Sequence, residues 1–155
     1  VYEDVIRSSL CNARWRFSTN QAELNRLTDA PTARYDFAYQ LPADTLIVHA
    51  LTVNDNPIEY QTYGTMVYAD TSSTDTVVAD FTFRQTEENF PSYFVLAVSY
   101  ALAQIFSTSI ARDSSLATMM ATMADQSMLK ARSVDAQQQT TRKLITSRFL
   151  ANRRT

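Results

Sequence analysis

The hydrophobic period of this chain changes near residue 87, and that change fixes much of what it can fold into. Between residues 35 and 84 the chain reads as a series of short strands, several with apolar side chains at every second position; beyond Pro91 apolar side chains recur in helical steps. Strands followed by helices are the pattern of an α+β domain. Tyr35, Phe37, Tyr39 and Leu41 share one strand face, and Pro42, which has no N–H to give a ladder, ends that strand at the corner Leu41-Pro42-Ala43-Asp44. This strand reads as a docking edge. A second strand covers residues 46–53, followed by a turn at 54–57. Residues 58–62 and 65–68 flank Tyr63-Gly64 as a hairpin, with glycine where positive φ is needed. After a solvated loop at 70–75, Val77, Ala79, Phe81 and Phe83 alternate against Val78, Asp80, Thr82 and Arg84, the signature of an antiparallel sheet with one buried face.

Upstream, residues 1–12 read as the end of a helix. Residues 14–19 alternate as a strand, placing Trp15 and Phe17 on one face as core anchors and Arg14 and Arg16 on the other. Residues 20–33 are largely polar and contain a turn at 29–32. Downstream, Pro91 suits a first helical turn, and residues 93–110 carry no charge. Ser99, Gln104, Ser107, Thr108 and Ser109 make that run too polar to span a membrane, so a buried helix is expected, with Ala97 and Ala101 allowing a neighbour to approach closely. Asp113 is a good N-cap for the next helix, with Leu116, Met119, Met120, Met123, Ser127, Ala131 and Val134 along one stripe; its methionines, Met128 included, are expected to fill core gaps.

Composition narrows the chemistry. One glycine in 155 residues leaves nothing to build a P-loop or a dinucleotide fingerprint. One cysteine and one histidine leave no intrachain disulfide, multi-cysteine zinc site or histidine cluster. Cys11 is expected to be a buried, inert thiol, and His49, inside an apolar strand, a structural residue. No secretory apolar core is present, and the chain opens on Val1 rather than methionine. The residues therefore point to no enzyme, no cofactor and no metal. Paired carboxylates such as Asp70 and Asp75 keep a hydrolase as one further reading. A small-molecule or carbohydrate-binding module is another, using Tyr35, Phe37, Tyr39, Tyr60, Tyr63 and Tyr68 as an aromatic face.

Charge is unevenly placed. The stretch between Arg34 and Arg84 holds Asp36, Asp44, Asp55, Glu59, Asp70, Asp75 and Asp80 with no lysine or arginine, whereas Arg142, Lys143, Arg148, Arg153 and Arg154 follow one another from residue 142 onward with no acid. A net charge of −2 argues against a dedicated DNA reader, and the polarity favours head-to-tail packing of copies or partners of opposite sign. Leu144, Ile145, Phe149 and Leu150 fall at helical spacing among those cations, so residues 142–155 read as an amphipathic interaction arm.

Trp15-Arg16-Phe17, the corner Tyr39-Gln40-Leu41-Pro42-Ala43-Asp44, the strand ending at Arg84, the acidic step into Pro91 and the alanine-containing helix that follows resemble the head-to-tail adaptor proteins of short-tailed bacteriophages, the tail tubular protein A family. The resemblance covers most of residues 1–138; the polar break at 137–141 and the basic arm depart from it. It implies a bundle of long antiparallel helices with an inserted small antiparallel β-sheet, to which this chain adds a C-terminal extended or helical arm. The expected adaptor domain spans residues 1–141, with helices at about 1–12, 91–110 and 113–136, a β-rich insertion at about 14–84, and the arm at 142–155. The resemblance further implies a homo-oligomeric ring, commonly a dodecamer, in the virion tail at the portal vertex, assembled in the host cytoplasm between portal protein and tail nozzle protein. DNA would pass through its bore, and no membrane is involved. The arm would wrap the portal, Asp55, Glu59, Asp70 and Asp75 would face the channel or nozzle, and Trp15, Phe17, Tyr39, Leu41 and Pro42 would be structural anchors.

Overall fold

The structure is a computed structural model that describes residues 1–29, 31 and 33–138. The arm therefore lies outside the described residues. Among the described residues three helices, α1 (Tyr2–Cys11), α2 (Ser92–Ser109) and α3 (Ser114–Gln137), accompany eight strands: β1 (Thr19–Glu23), β2 (Asn25–Arg26), β3 (Phe37–Gln40), β4 (Thr45–Val53), β5 (Asn56–Ile58), β6 (Tyr60–Tyr63), β7 (Met66–Ala69) and β8 (Val77–Phe83). The strands form two antiparallel four-stranded sheets, ordered β1-β8-β4-β5 and β2-β3-β7-β6.

This arrangement corrects the expected helical bundle with a small inserted sheet. The fold is a small α+β domain in which the two sheets face each other and hold a core of their own: Leu24, Tyr39, Leu41, Leu51, Val67, Ala69, Val77, Ala79 and Phe81. Alternation along the chain marks which side chains point inward, but not that they belong to two facing sheets. The polar stretch after Thr19 also proves to be strand. β1 pairs with β8 from Thr19↔Thr82 to Glu23↔Val78, and β2 pairs with β3. Both are outermost strands, so little apolar surface is asked of them.

Strand β4 shows how the apolar run Leu46-Ile47-Val48-His49-Ala50-Leu51 is divided. Its pairing with β8 shifts register between Thr45 and Ile47 and again between Val48 and Ala50, leaving Leu46 and His49 as bulged residues. Val48, Leu51 and Val53 consequently face the sandwich core, and Leu46 packs against the helical core. At Gly64 (φ 60°) the β6–β7 hairpin takes the left-handed conformation that glycine adopts without strain.

The second core joins the helices to the sheets. Ile6 and Leu10 of α1, Trp15, Phe94, Ala97 and Val98 of α2, and Ala131 of α3 are buried together. Residues 15–17 are not a strand, because Arg16–Ser18 form a 3-10 turn. The division of faces nonetheless survives. Trp15 is wholly buried, donates from Nε1 to the Ser9 carbonyl at 2.9 Å, and meets Phe94 edge-on at 5.2 Å. Phe17 lies at 5.0 Å from Phe94 and 6.0 Å from Phe90. Burying an aromatic side chain of this size contributes about 2–3 kcal/mol, so this cluster is the main seam between helices and sheet.

Helix α3 starts at Asp113, whose carboxylate accepts from the backbone N–H groups of Ser115 and Leu116. A link of four residues folds α2 and α3 into an antiparallel hairpin with alanines at its seam. Among the described residues no helix is long and apolar enough to cross a membrane.

Candidate functional site

Among the described residues most of the exposed large apolar side chains lie on the helical hairpin. Val95, Leu96, Ile105, Phe106, Ile110, Met119, Met123, Leu129 and Val134 are all exposed, Ile110 to 75%. This corrects the expectation that α2 is buried all round and, for Met119 and Met123, the expectation that the methionines of α3 fill a core, which Met128 alone of these three meets by packing on the helical cluster. Among the described residues α3, α1 and the Trp15–Phe17–Phe90 cluster cover one side of α2, so Phe94, Ala97 and Val98 are enclosed while Val95, Leu96 and Phe106 stay open. Between α1 and the hairpin runs a groove of about 630 Å³, lined by Val5, Ala97, Ala101, Ile105 and Met128 and bordered by Asp4 and Asp125.

A second feature is basic. Arg14, Arg16 and Arg132 are exposed and border adjoining depressions beside β1, one of about 510 Å³ reaching Asp135 and one of about 400 Å³ reaching His49 and Asp80. Asp135, only 4% exposed, holds this corner together: it accepts from the Arg16 backbone N–H at 2.9 Å and from the Tyr93 hydroxyl at 2.7 Å. Burial, then that bond, pushes the Tyr93 phenol up to about 12. His49 Nε2 lies 2.7 Å from the buried Thr82 hydroxyl; burial first and the Arg14 charge second hold the imidazole below its usual range. Sequence reasoning did not find Asp135, because a lone acid late in a helix looks like any solvated residue until its partners are known.

The four acids expected to face a channel or nozzle have different fates. Asp75 accepts from the Ser72 N–H and Asp70 from the Asp36 N–H, both as loop-forming acceptors. Asp55 sits in the β4–β5 turn, where Asn54 and Asp55 both take positive φ, and is exposed. Glu59 is exposed after β5 and shares a depression of about 520 Å³ with Asp70, Tyr35 and Tyr60. Neither Asp55 nor Glu59 makes a hydrogen bond or ion pair among the described residues.

Of the anchors, Trp15, Tyr39 and Leu41 are buried, and Phe17 and Pro42 are half-buried. The strand read as a docking edge is instead an interior strand between β2 and β7, with Tyr39 in the sandwich core. The six aromatics of the binding-module reading do not make one platform. Phe37, Tyr39 and Tyr60 pack on the core, and only Tyr35, Tyr63 and Tyr68 cluster outside it, at centroid distances of 5.0 Å and 6.2 Å. Arg142, Lys143, Leu144, Ile145, Arg148, Phe149, Leu150, Arg153 and Arg154 lie outside the described residues. Cys11 is exposed rather than buried, since α1 turns only its Ile6–Leu10 face to the core. Partial burial still pushes its thiol up. Among the described residues no three His, Cys, Asp or Glu side chains are grouped so as to hold a metal ion.

A further cluster had not been read from the sequence. Arg84, at the end of β8, bonds Glu3 of α1 through Nε and a terminal nitrogen at 3.0 and 2.9 Å, and Glu87 at 2.5 Å. This clasp closes the N-terminal helix onto the sheet.

No family model and no curated protein matches this chain. The geometry must carry any functional reading by itself. It presents an exposed apolar helical hairpin, a basic corner and an acidic edge among the described residues.

Proposed function

We propose that this chain is a structural interaction protein, a head-to-tail adaptor that packs into a ring between the portal and the tail nozzle of a short-tailed bacteriophage, with DNA passing through the bore. The observation that carries the proposal is the helical hairpin, whose large apolar side chains are left uncovered by the other described residues. Exposed apolar surface of this extent marks a protein–protein contact, and side-to-side packing of hairpins in a ring covers it. The resemblance of residues 15–17, 39–44 and 84–91 to the adaptor family supplies the class of assembly. In this reading the basic amphipathic residues 142–155 grip the portal, and the loops carrying Asp70 and Asp75 turn toward the nozzle and the passing DNA, which acidic surface does not retain.

The experiment is co-sedimentation of the full chain with its portal ring. Binding is expected, and Leu144→Asp combined with Phe149→Asp should abolish it by removing the apolar face of the arm. A double variant that still binds as well as wild type would remove the arm from the proposal. A wild-type chain that never joins the portal removes the proposal itself.

A further inference from the structure

We infer that neighbouring copies of this chain meet through complementary charge, the Arg14–Arg16–Arg132 corner of one copy against the Asp55 and Glu59 edge of the next. The inference deepens the ring reading and rests on it.

The two patches lie on opposite edges of one sheet. Arg14 borders a depression it shares with Thr19, Asn20 and Gln21 of β1, the outermost strand on one side. Asp55 leads into β5 and Glu59 leaves it, and β5 is the outermost strand on the other side. Three inter-strand steps, roughly 14 Å, separate the two edges. A copy that uses its basic edge on one neighbour keeps its acidic edge free for another. Such a contact is heterologous, the kind that repeats around a closed ring.

The charges on both sides are available. No guanidinium of Arg14, Arg16 or Arg132 is engaged in an ion pair among the described residues, nor is either carboxylate of Asp55 or Glu59. Charged groups left solvated at an edge do little for the stability of a single chain. Across an interface they set orientation and speed association.

The alternative occupant of an arginine corner is a nucleic-acid backbone, and the surroundings disfavour it. The carboxylates of Asp80 and Asp135 border the same depressions, and three guanidiniums in one corner do not make the extended basic stripe that tracks a phosphate chain. A protein edge presenting two carboxylates matches a compact patch better. This assignment directs Asp55 and Glu59 to a neighbouring subunit rather than to the channel.

Sedimentation velocity of the full chain at low and high salt tests the contact, with two charge-reversed variants. Arg14→Glu with Arg132→Glu leaves each copy acidic on both edges; Asp55→Lys with Glu59→Lys leaves each copy basic on both. Each variant alone should self-associate about tenfold more weakly than wild type or worse, and an equimolar mixture of the two should recover association. Circular dichroism checks that each variant folds, and Arg14→Gln with Arg132→Gln replaces the first should it not. Variants that associate like wild type, while wild type still forms rings on portal, overturn the charged contact and leave the ring reading in place. A mixture that fails to recover also overturns the contact. A wild-type chain that stays monomeric at every salt concentration, alone and with portal, overturns both. Binding of a DNA duplex that is lost in Arg14→Glu with Arg132→Glu while self-association is unchanged assigns the corner to nucleic acid and overturns the inference.

Discussion

Replacing Asp135 by alanine removes the acceptor that ties the last turn of α3 to the loop after α1. Two donors lose their partner at once, the Arg16 backbone N–H at 2.9 Å and the Tyr93 hydroxyl at 2.7 Å. Hydrogen bonds to a charged group each contribute about 1.5–3 kcal/mol, and relief of the buried carboxylate offsets part of their loss. The net cost is about 2–5 kcal/mol, which for a chain of this size lowers Tm by roughly 5–15 °C. Thermal unfolding followed by far-UV circular dichroism reads the shift, and the fluorescence of Trp15, next to Arg16 in the chain, reports whether the corner loosens locally. In the same variant the Tyr93 phenol should titrate below about 12 but still above its ordinary 10, because burial, the larger cause, persists. In wild type the raised phenol keeps its contribution to stability below pH 10 and loses it as pH rises through about 12. A change in stability below about 1 kcal/mol, with an unaltered tyrosine titration, would refute this account of the corner.

The clasp around Arg84 has an acid limit. The Arg84 guanidinium first, and Arg7 second, hold the Glu3 carboxyl down at about 2, so its contribution is complete above its ordinary 4.5 and fades as pH falls toward 2. Arg84→Gln should flatten the dependence of Tm on pH across that window, and an unchanged acid limb counts against the clasp. Asp113→Ala strips the cap from α3 and should cost about 1 kcal/mol in urea unfolding. At Gly64 an added Cβ meets no atom within 4 Å, so Gly64→Ala should cost only the left-handed backbone penalty of roughly 1 kcal/mol; a much larger loss on chemical denaturation would mean the hairpin is more tightly enclosed.

Legibility from sequence followed the strength of each local signal. The helices after Pro91 were readable because the charge-free run and the Asp113 cap are local statements, and Trp15 was readable as an anchor because size and apolarity decide burial nearly alone. The β1 and β2 strands were not, since outermost strands need little apolar surface and Thr19-Asn20-Gln21 resembles loop. The bulges at Leu46 and His49 were hidden too, because only the pairing with β8 reveals that Val48 and Leu51, three apart, point the same way. Helix burial was overestimated for a related reason. An apolar stretch says that a surface seeks cover, not that the same chain supplies it, and Phe106 and Met119 remain uncovered. The acids divided likewise, Asp70 and Asp75 being used by their own loops while Asp55 and Glu59 stay solvated.

The central claim is that copies of this chain cover one another's apolar hairpins in a ring seated on a portal. Electron-microscopy class averages of the full chain mixed with its portal test it most directly. The account predicts annular density with rotational symmetry stacked against the portal, its subunits joined through the helices. Averages that show a bare portal beside free single copies would contradict it.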